Sequence, residues 1–492
     1  MNAIDLLTPA GASLALLPEL LLTAGALVVL LVMSWRHRSA ADSRLAGWLS
    51  LLALAASGAG LGYLWASGAA PAGPPAMIAL DSFRYVSGAL ILICAAATVL
   101  LSLRYLEREQ LLAPEYYVLI LLATVGLLLM PGAQDLMVFF LGLETMSVSV
   151  YVLAGYDRRS PQSAEAALKY FLIGAFASAF LLYGIALIYG ATGTTNLPGI
   201  GARLGSAPLS LMASLGLGFL LIGLGFKVAA VPFHMWTPDV YEGSPTPVTG
   251  FMAAAVKAAG FAALARILVE SFPAATMHWR PIVLVLAIAT MVLGNLVALS
   301  QRSLKRMLAY SSIAHAGYLL MGLAAASTAG VQGILVYLIV YVLMNVGAFL
   351  VIIAVARVNG SEDISAFRGL GSKAPIAALA LTIFLFSLTG IPPFAGFAGK
   401  YLLFAAVVRQ GGFWYVLLAV IGVLNSAVSL FYYARIIKAM YLEEPTDQRP
   451  LAVPALYTGV LVALAVPVLV LGIYWAPLVR WASAAFGGGN VL

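Results

Sequence analysis

Lys227-Val-Ala-Ala-Val-Pro-Phe-His-Met-Trp236 interrupts an apolar run, 209–240, that is otherwise long enough to cross a bilayer. Proline removes a backbone donor and collides with the carbonyl one turn back, so a helix here breaks near Pro232. A second stretch repeats the arrangement. Gly390-Ile-Pro-Pro-Phe-Ala-Gly-Phe-Ala-Gly-Lys400 lies inside the run 374–408, with Pro392 and Pro393 in mid-run. Both breaks read Pro-Phe-x-x-aromatic, from Pro232 to Trp236 and from Pro393 to Phe397, and each has a lysine beside it. Non-helical backbone at membrane depth survives only where it is buried in protein or lines a wet cavity. The breaks lie five apolar runs apart, an odd number, so the units that contain them have inverted topology. Paired broken helices in inverted repeats are the pattern of secondary transporters, with ion sites near the midplane.

The rest of the chain supports a membrane reading. Of 492 residues, 63% are apolar and 9% charged, against roughly 25% charged in soluble domains. Too few charges remain to cover a soluble protein of this length. Apolar runs bounded by Pro, Gly or charges number fourteen, near 14–34, 45–66, 80–103, 116–131, 134–155, 165–190, 209–240, 246–270, 281–300, 304–326, 331–356, 374–408, 412–440 and 453–480. The expected fold is an all-α polytopic membrane protein of about 14 transmembrane helices, with two inverted five-helix repeats and broken helices seven and twelve. As a single membrane domain, 1–492 divides into N-terminal helices at 1–110, a first repeat at 111–270, a second at 278–441, and a last helix at 450–492.

Charge placement tests this count. Alternating the gaps puts seventeen of the 26 Lys and Arg on one side, Arg36, Arg104, Arg158, Arg302, Arg368 and Arg435 among them. Six fall on the other: Arg84, Arg203, Arg266, Arg280, Arg409 and Arg480. The positive-inside rule then places both termini outside. Arg266 and Lys305, near run ends, are expected to snorkel to the surfaces. Met1–Asp5 has no basic n-region, so no cleaved signal peptide is expected.

Three lysines are left over: Lys227, Lys257 and Lys400. Lys257 follows the Pro245/Pro247 helix start by ten or so residues, roughly 15 Å of helix, which is mid-bilayer. Glu144 lies at similar depth in run five, and His315 a dozen residues into run ten. Intramembrane charges are costly and normally mark a pathway or pair with a partner. One carboxylate cannot neutralise three lysines, so the excess requires water, a mobile proton or a neutral amine. A structural ion pair would account for one such couple but not for the set. His315, read alone, is as readily a hydrogen-bonded packing residue; at this depth it joins the proton-transfer candidates. His234 and Lys169 are further candidates.

Other chemistry is poorly provided for. Cys94, the one cysteine, sits in an apolar run and forms no Cys-based metal or iron–sulfur set. His37, His234, His278 and His315 lack metal-ligand spacing. No Gly-rich phosphate loop follows a strand pattern. No metal or cofactor is expected in this chain, and the scattered basic residues do not suggest nucleic acid.

An ordered series of strings carries a resemblance. These are Leu141-Gly-Leu-Glu144-Thr-Met-Ser147, Glu165-Ala-Ala-Leu-Lys-Tyr-Phe171, Gly225-Phe-Lys227 with Val231-Pro-Phe-His-Met-Trp-Thr-Pro-Asp-Val-Tyr-Glu-Gly-Ser-Pro-Thr-Pro247, Lys257-Ala-Ala-Gly-Phe261, Lys305-Arg-Met-Leu-Ala-Tyr-Ser-Ser-Ile-Ala-His-Ala-Gly-Tyr318, and the Gly390–Lys400 stretch. Over nearly its whole length the chain resembles the antiporter-like membrane subunits of respiratory complex I, the bacterial NADH-quinone oxidoreductases. Asp239-Val-Tyr-Glu-Gly-Ser-Pro245, and a lysine rather than a glutamate at position 400, make it most similar to the N-type members.

The resemblance implies roles residue by residue. Glu144 is the fifth-helix glutamate that pairs with Lys227. Lys257 is the central lysine, Lys400 stands at an exit half-channel, and His315 links the two halves. It further implies that NADH, FMN, iron–sulfur clusters and quinone belong to partner subunits. A neighbouring antiporter-like subunit and quinone-side subunits are expected beside this chain, in a bacterial plasma (inner) membrane. The nearest rival is a subunit of a multisubunit Na+/H+ antiporter. A stand-alone solute transporter predicts a midplane substrate pocket instead, and a passive scaffold does not explain the lysines.

Overall fold

The computed structural model describes the chain apart from residues 1, 2, 6, 7, 37, 38, 69, 72–75, 113, 206–208, 446–450 and 487–492. His37, Arg38 and Arg449 lie outside the described residues. Twelve described helices are long and apolar enough to cross a bilayer unbroken. Leu17–Ser34, Ala40–Ser67, Ser82–Arg108, Glu115–Gly132, Leu136–Ala154 and Pro161–Thr192 are segments one to six. Thr246–Ser271, Thr276–Ala298, Leu304–Ala324 and Thr328–Asn359 are eight to eleven. Phe413–Leu442 and Ala455–Ile473 are thirteen and fourteen.

The other two are split as the prolines require. Segment seven is Leu211–Lys227 followed by Trp236–Gly243, and segment twelve is Pro375–Thr389 followed by Ala395–Val408. Fourteen segments result. The run expected at 453–480 is itself divided, with Ala476–Ala485 a separate short helix. Small additions lie at the ends: a two-residue parallel strand pair, Ala3–Ile4 with Ala70–Pro71, and the helices Pro9–Ala15 and Leu197–Leu204.

Segments four to eight and nine to thirteen pack in the same order. Four lies on five as nine lies on ten; six lies on the first half of seven as eleven lies on twelve; four meets eight as nine meets thirteen. Small residues permit the close crossings. A Cβ added at Gly126 would fall on the backbone of Met146, and one at Gly294 on that of Ala314. Segments eight, ten and eleven are almost wholly buried and form the core. In segment eight a π-turn, Met252–Val256, immediately precedes Lys257. Such turns relax the regular ladder locally and often accompany functional positions.

The broken backbone solves its hydrogen-bonding problem locally. At the first break Val228, Ala229 and Ala230 donate to Leu224, Phe226 and Gly225 carbonyls, and Val231 N donates to Thr290 Oγ1 at 3.0 Å. At the second, Gly390 and Ile391 donate to the Phe386 carbonyl, and Gly396 N to Ser387 Oγ at 2.9 Å. Both breaks contain a cis X-Pro peptide, Val231-Pro232 and Pro392-Pro393. Pro232, Pro392 and Pro393 themselves lie on the chain's surface, where a residue with no N–H leaves no donor unpaired.

Buried ion pairs fix the periphery. Arg84 donates to Glu19 at 2.9 Å and to the Ala15 and Ala79 carbonyls, tying segments one and three. Arg266 and Lys305 do not snorkel. Arg266 is 2% exposed and pairs with Asp81 and Glu270, both at 2.9 Å. Lys305 is 3% exposed and reaches the Ser244 carbonyl at 2.6 Å and Glu362 at 3.4 Å. Carboxylates close by make burial less costly than the geometry of the run ends suggests.

Candidate proton-transfer site

Lys227 is the last residue of the first half of segment seven. The carbonyls of its last turn are taken by Val228, Ala229, Ala230 and Trp236, and its ammonium turns instead to hydroxyls on neighbouring segments. Nζ donates to Ser147 Oγ at 3.0 Å and to Tyr170 OH at 3.4 Å. Glu144, half-buried and one helical turn from Ser147, accepts a hydrogen bond from Ser178 Oγ. Glu144 and Lys227 do not touch: no carboxylate among the described residues comes within 4.0 Å of Lys227 Nζ. Beside Lys227 is a small space of about 10 Å³ lined by Ser147, Ser178 and Lys227 among others, close to the least that holds one water; Glu144 meets it through Ser178. Two hydroxyls and an amine around a water-sized space, with a carboxylate bonded to one of the hydroxyls, can pass a proton without an ion-pair contact.

Lys257 faces the other half. Its Nζ donates to the Ser312 carbonyl and to Ser312 Oγ, at 2.5 Å, on segment ten. Gly260, one turn further along segment eight, lies against Lys227 and presents no side chain there. His315 is one turn beyond Ser312. Its Nδ1 bonds Tyr337 OH, and its Nε2 lies 3.3 Å from Tyr433 OH, which also bonds Ser311 Oγ at 2.5 Å.

Lys400 completes the series from the second half of segment twelve. It reaches back to the Thr389 carbonyl at 2.8 Å, the end of the first half, and to Ser426 Oγ at 2.9 Å. Ser426 donates on to Tyr318 OH at 3.2 Å, and Lys400 Nζ stands 4.3 Å from the Tyr318 ring centroid. Lys227 and Lys400 thus both lie beside a break and both bond a serine hydroxyl, but only the Lys400 ammonium meets a half-helix carbonyl end.

The remaining candidates separate. His234 is half-buried within the first break, and its Nδ1 is buried with no hydrogen-bond partner. Lys169 is not in the row: it pairs with Glu165 at 2.6 Å and Asp239 at 2.7 Å. The sequence reading missed Ser147, Ser178, Ser312, Ser426 and the tyrosines 170, 318, 337 and 433. Hydroxyl residues are common in membrane helices, and nothing in their spacing distinguishes those that touch a lysine.

The three lysines are each 3% exposed, and their acceptors are hydroxyls and carbonyls. Arg84, Arg266 and Lys305, the other buried cations described, each meet a carboxylate. That division separates charges held for structure from amines able to lose a proton.

Comparison with known proteins identifies the family and the fold. Residues 133–426 match the family model described as NADH:quinone oxidoreductase/Mrp antiporter, TM. NADH-quinone oxidoreductase subunit N of Trichlorobacter lovleyi is 49% identical over 407 residues, 82% of each chain. Subunit N 2 of Sorangium cellulosum is 44% identical over 94% of each. A chain of respiratory complex I from Thermus thermophilus is 36% identical with a TM-score of 0.80, over 95% of this chain and 100% of that one. A chain of the Mrp complex from Dietzia shares the fold, with a TM-score of 0.85 at 23% identity over 96% of this chain and 97% of that one. The chain belongs to the antiporter-like membrane subunits of NADH:quinone oxidoreductases and Mrp antiporters, in the NADH-quinone oxidoreductase subunit N group.

Proposed function

We propose that the chain moves protons across the membrane through Glu144, Lys227, Lys257, His315 and Lys400, as one antiporter-like subunit of a NADH-quinone oxidoreductase. Electron transfer from NADH to quinone, in partner subunits holding FMN, iron–sulfur clusters and quinone, supplies the energy. The observation that carries this reading is the set of three buried lysines with hydroxyl and carbonyl acceptors and, among the described residues, no carboxylate within ion-pair distance. A lysine amine can shed its proton and take it back, which a guanidinium cannot.

In this reading Glu144 exchanges a proton with Lys227 through Ser178, Ser147 and an intervening water. Release from Lys227 passes past Gly260 to Lys257. Ser312, the His315–Tyr433–Ser311 cluster and Ser426 continue the path to Lys400. The two breaks supply access from opposite faces, as the division into repeats at 111–270 and 278–441 requires. The basic gaps face the cytoplasm of a bacterial cell, and both termini the periplasm. His234, whose Nδ1 points to no partner, serves the first half-channel.

The test is proton pumping by the assembled complex in lipid vesicles, normalised to electron transfer. Glu144→Ala and Lys227→Ala are expected to lower protons pumped per electron. Wild-type values in both, with normal assembly, refute the reading. Sequence identity favours the oxidoreductase over the Na+/H+ antiporter alternative: the Mrp likeness stands at 23% and the subunit N relatives at 44–49%.

A further inference from the structure

The half-helix Trp236–Gly243 is eight residues long, too short to hold its own shape or position without neighbours. Two of its residues on one face, Trp236 and Asp239, dock it onto segment six at adjacent positions. Trp236 stacks on Tyr170, with centroids 4.4 Å apart and planes 6° from parallel. Asp239 accepts from Lys169 at 2.7 Å. Segment ten grips the same half-helix from the other side, where Arg306 donates to Asp239 at 2.8 Å and Glu242 at 2.6 Å.

This docking reaches the lysine. Tyr170, sandwiched by Trp236, carries a hydroxyl 3.4 Å from Lys227 Nζ. Trp236 Nε1 also donates to the Phe226 carbonyl at 3.2 Å, one residue before Lys227. A shift of the half-helix therefore moves both the hydroxyl partner of Lys227 and the helix end on which it sits. Segment ten, held at Arg306, carries Ser312 and His315 two to three turns further on, so the same grip fixes the second half of the row.

We infer that Trp236 and Asp239 are positioning residues for proton transfer at Lys227, acting through Tyr170 and the Lys169–Asp239–Arg306 ion pairs. The inference rests on the proposed proton-translocating function. Loss of either anchor lets the half-helix drift, and Lys227 loses its fixed relation to Ser147 and Glu144.

The test compares protons pumped per electron in the vesicle-reconstituted complex for Asp239→Ala, Asp239→Glu, Trp236→Leu, Trp236→Phe, Lys169→Ala and Lys227→Ala. Asp239→Ala and Trp236→Leu are expected to lower the ratio severalfold. Asp239→Glu keeps the charge and Trp236→Phe keeps a ring on Tyr170, and each is expected to recover most of it. If Asp239→Ala does not assemble, Lys169→Ala, which leaves Arg306 on Asp239, takes its place and is expected to show a smaller loss. Wild-type ratios in these variants while Lys227→Ala has lost pumping overturn the inference and leave the function standing. Conservative variants no better than the disruptive ones overturn it also, since packing alone would then explain the losses. A wild-type ratio in Lys227→Ala refutes the function itself.

Discussion

Gly390→Ala probes Lys400 without touching a titratable group. Gly390 closes the first half of segment twelve with φ +87°, a left-handed conformation that costs an L-residue about 1–2 kcal/mol. The added Cβ would stand 2.7 Å from Lys400 Cδ and 3.5 Å from its Nζ. A lysine stem usually yields to such pressure. Here the ammonium is held by the Thr389 carbonyl at 2.8 Å and Ser426 Oγ at 2.9 Å, beneath the Tyr318 ring, so yielding breaks at least one bond of a charged donor, about 1.5–3 kcal/mol. The two effects together come to about 2.5–5 kcal/mol, roughly a seventyfold to a five-thousandfold loss in the population of the wild-type geometry. Gly360→Ala is the matched control: φ is +66°, and nothing lies within 4 Å of its would-be Cβ, so it incurs the backbone cost alone. In reconstituted vesicles, with native gels to confirm assembly, Gly390→Ala is expected to pump far fewer protons per electron than Gly360→Ala. Equal pumping in the two variants would refute the view that the placement of Lys400 at the break matters.

Three further outcomes follow from the same geometry and use the same measurements. Lys257→Arg keeps a permanent cation against Ser312 and is expected to abolish pumping, whereas Lys305→Arg, beside Glu362 at 3.4 Å, is expected to be tolerated; tolerance of both contradicts proton release at Lys257. Ser178→Ala strips Glu144 of its hydroxyl donor and is expected to slow pumping up to about tenfold, about 1.4 kcal/mol, without loss of assembly. Arg84→Ala leaves Glu19 buried without its cation, a cost of about 3–5 kcal/mol, and is expected to deplete the subunit from the complex on native gels; a full-strength complex would show the pair to be dispensable.

The fold was readable because its signals are physical and long-range. Fourteen apolar runs and two mid-run prolines dictate crossings and breaks, and the breaks fall where Pro232 and Pro392-Pro393 place them. Ends were less readable. The last run divides at Tyr474-Trp475, and the signal passed over is Pro477, which opens the following helix and cannot continue the preceding one. Lys305 was misplaced because its partner Glu362 is remote in sequence, and a run-end cation with an unseen carboxylate looks like one that snorkels; for Arg266 only Asp81 is remote, whereas Glu270, one turn on, was legible and was not weighed. Glu144 and Lys227 lie near one another without an ion-pair contact, a separation the sequence does not reveal, as helix spacing fixes which faces oppose but not whether side chains meet.

The proposed proton transfer depends on the contrast between two kinds of buried cation. A guanidinium inside a membrane protein stays charged, so Arg84 and Arg266 are stable only with carboxylates against them. Lys227 instead meets the Ser147 and Tyr170 hydroxyls beside its break, and Lys400 faces the carbonyl end of a half-helix at Thr389, whose partial negative charge falls off within a turn. Such an end offers a cation some stabilisation, and a neutral amine can still hydrogen-bond to the hydroxyl of Ser147 or Ser426. A carboxylate in contact would hold the proton fast; an apolar wall would expel it. Hydroxyls beside the break at Lys227, and a hydroxyl with a broken helix end at Lys400, create the intermediate case, in which both protonation states are accommodated at one position. The prolines that first reveal the fold are thus joined to the chemistry: at Lys400 the break that bends the backbone also makes the electrostatic setting in which a buried lysine can cycle.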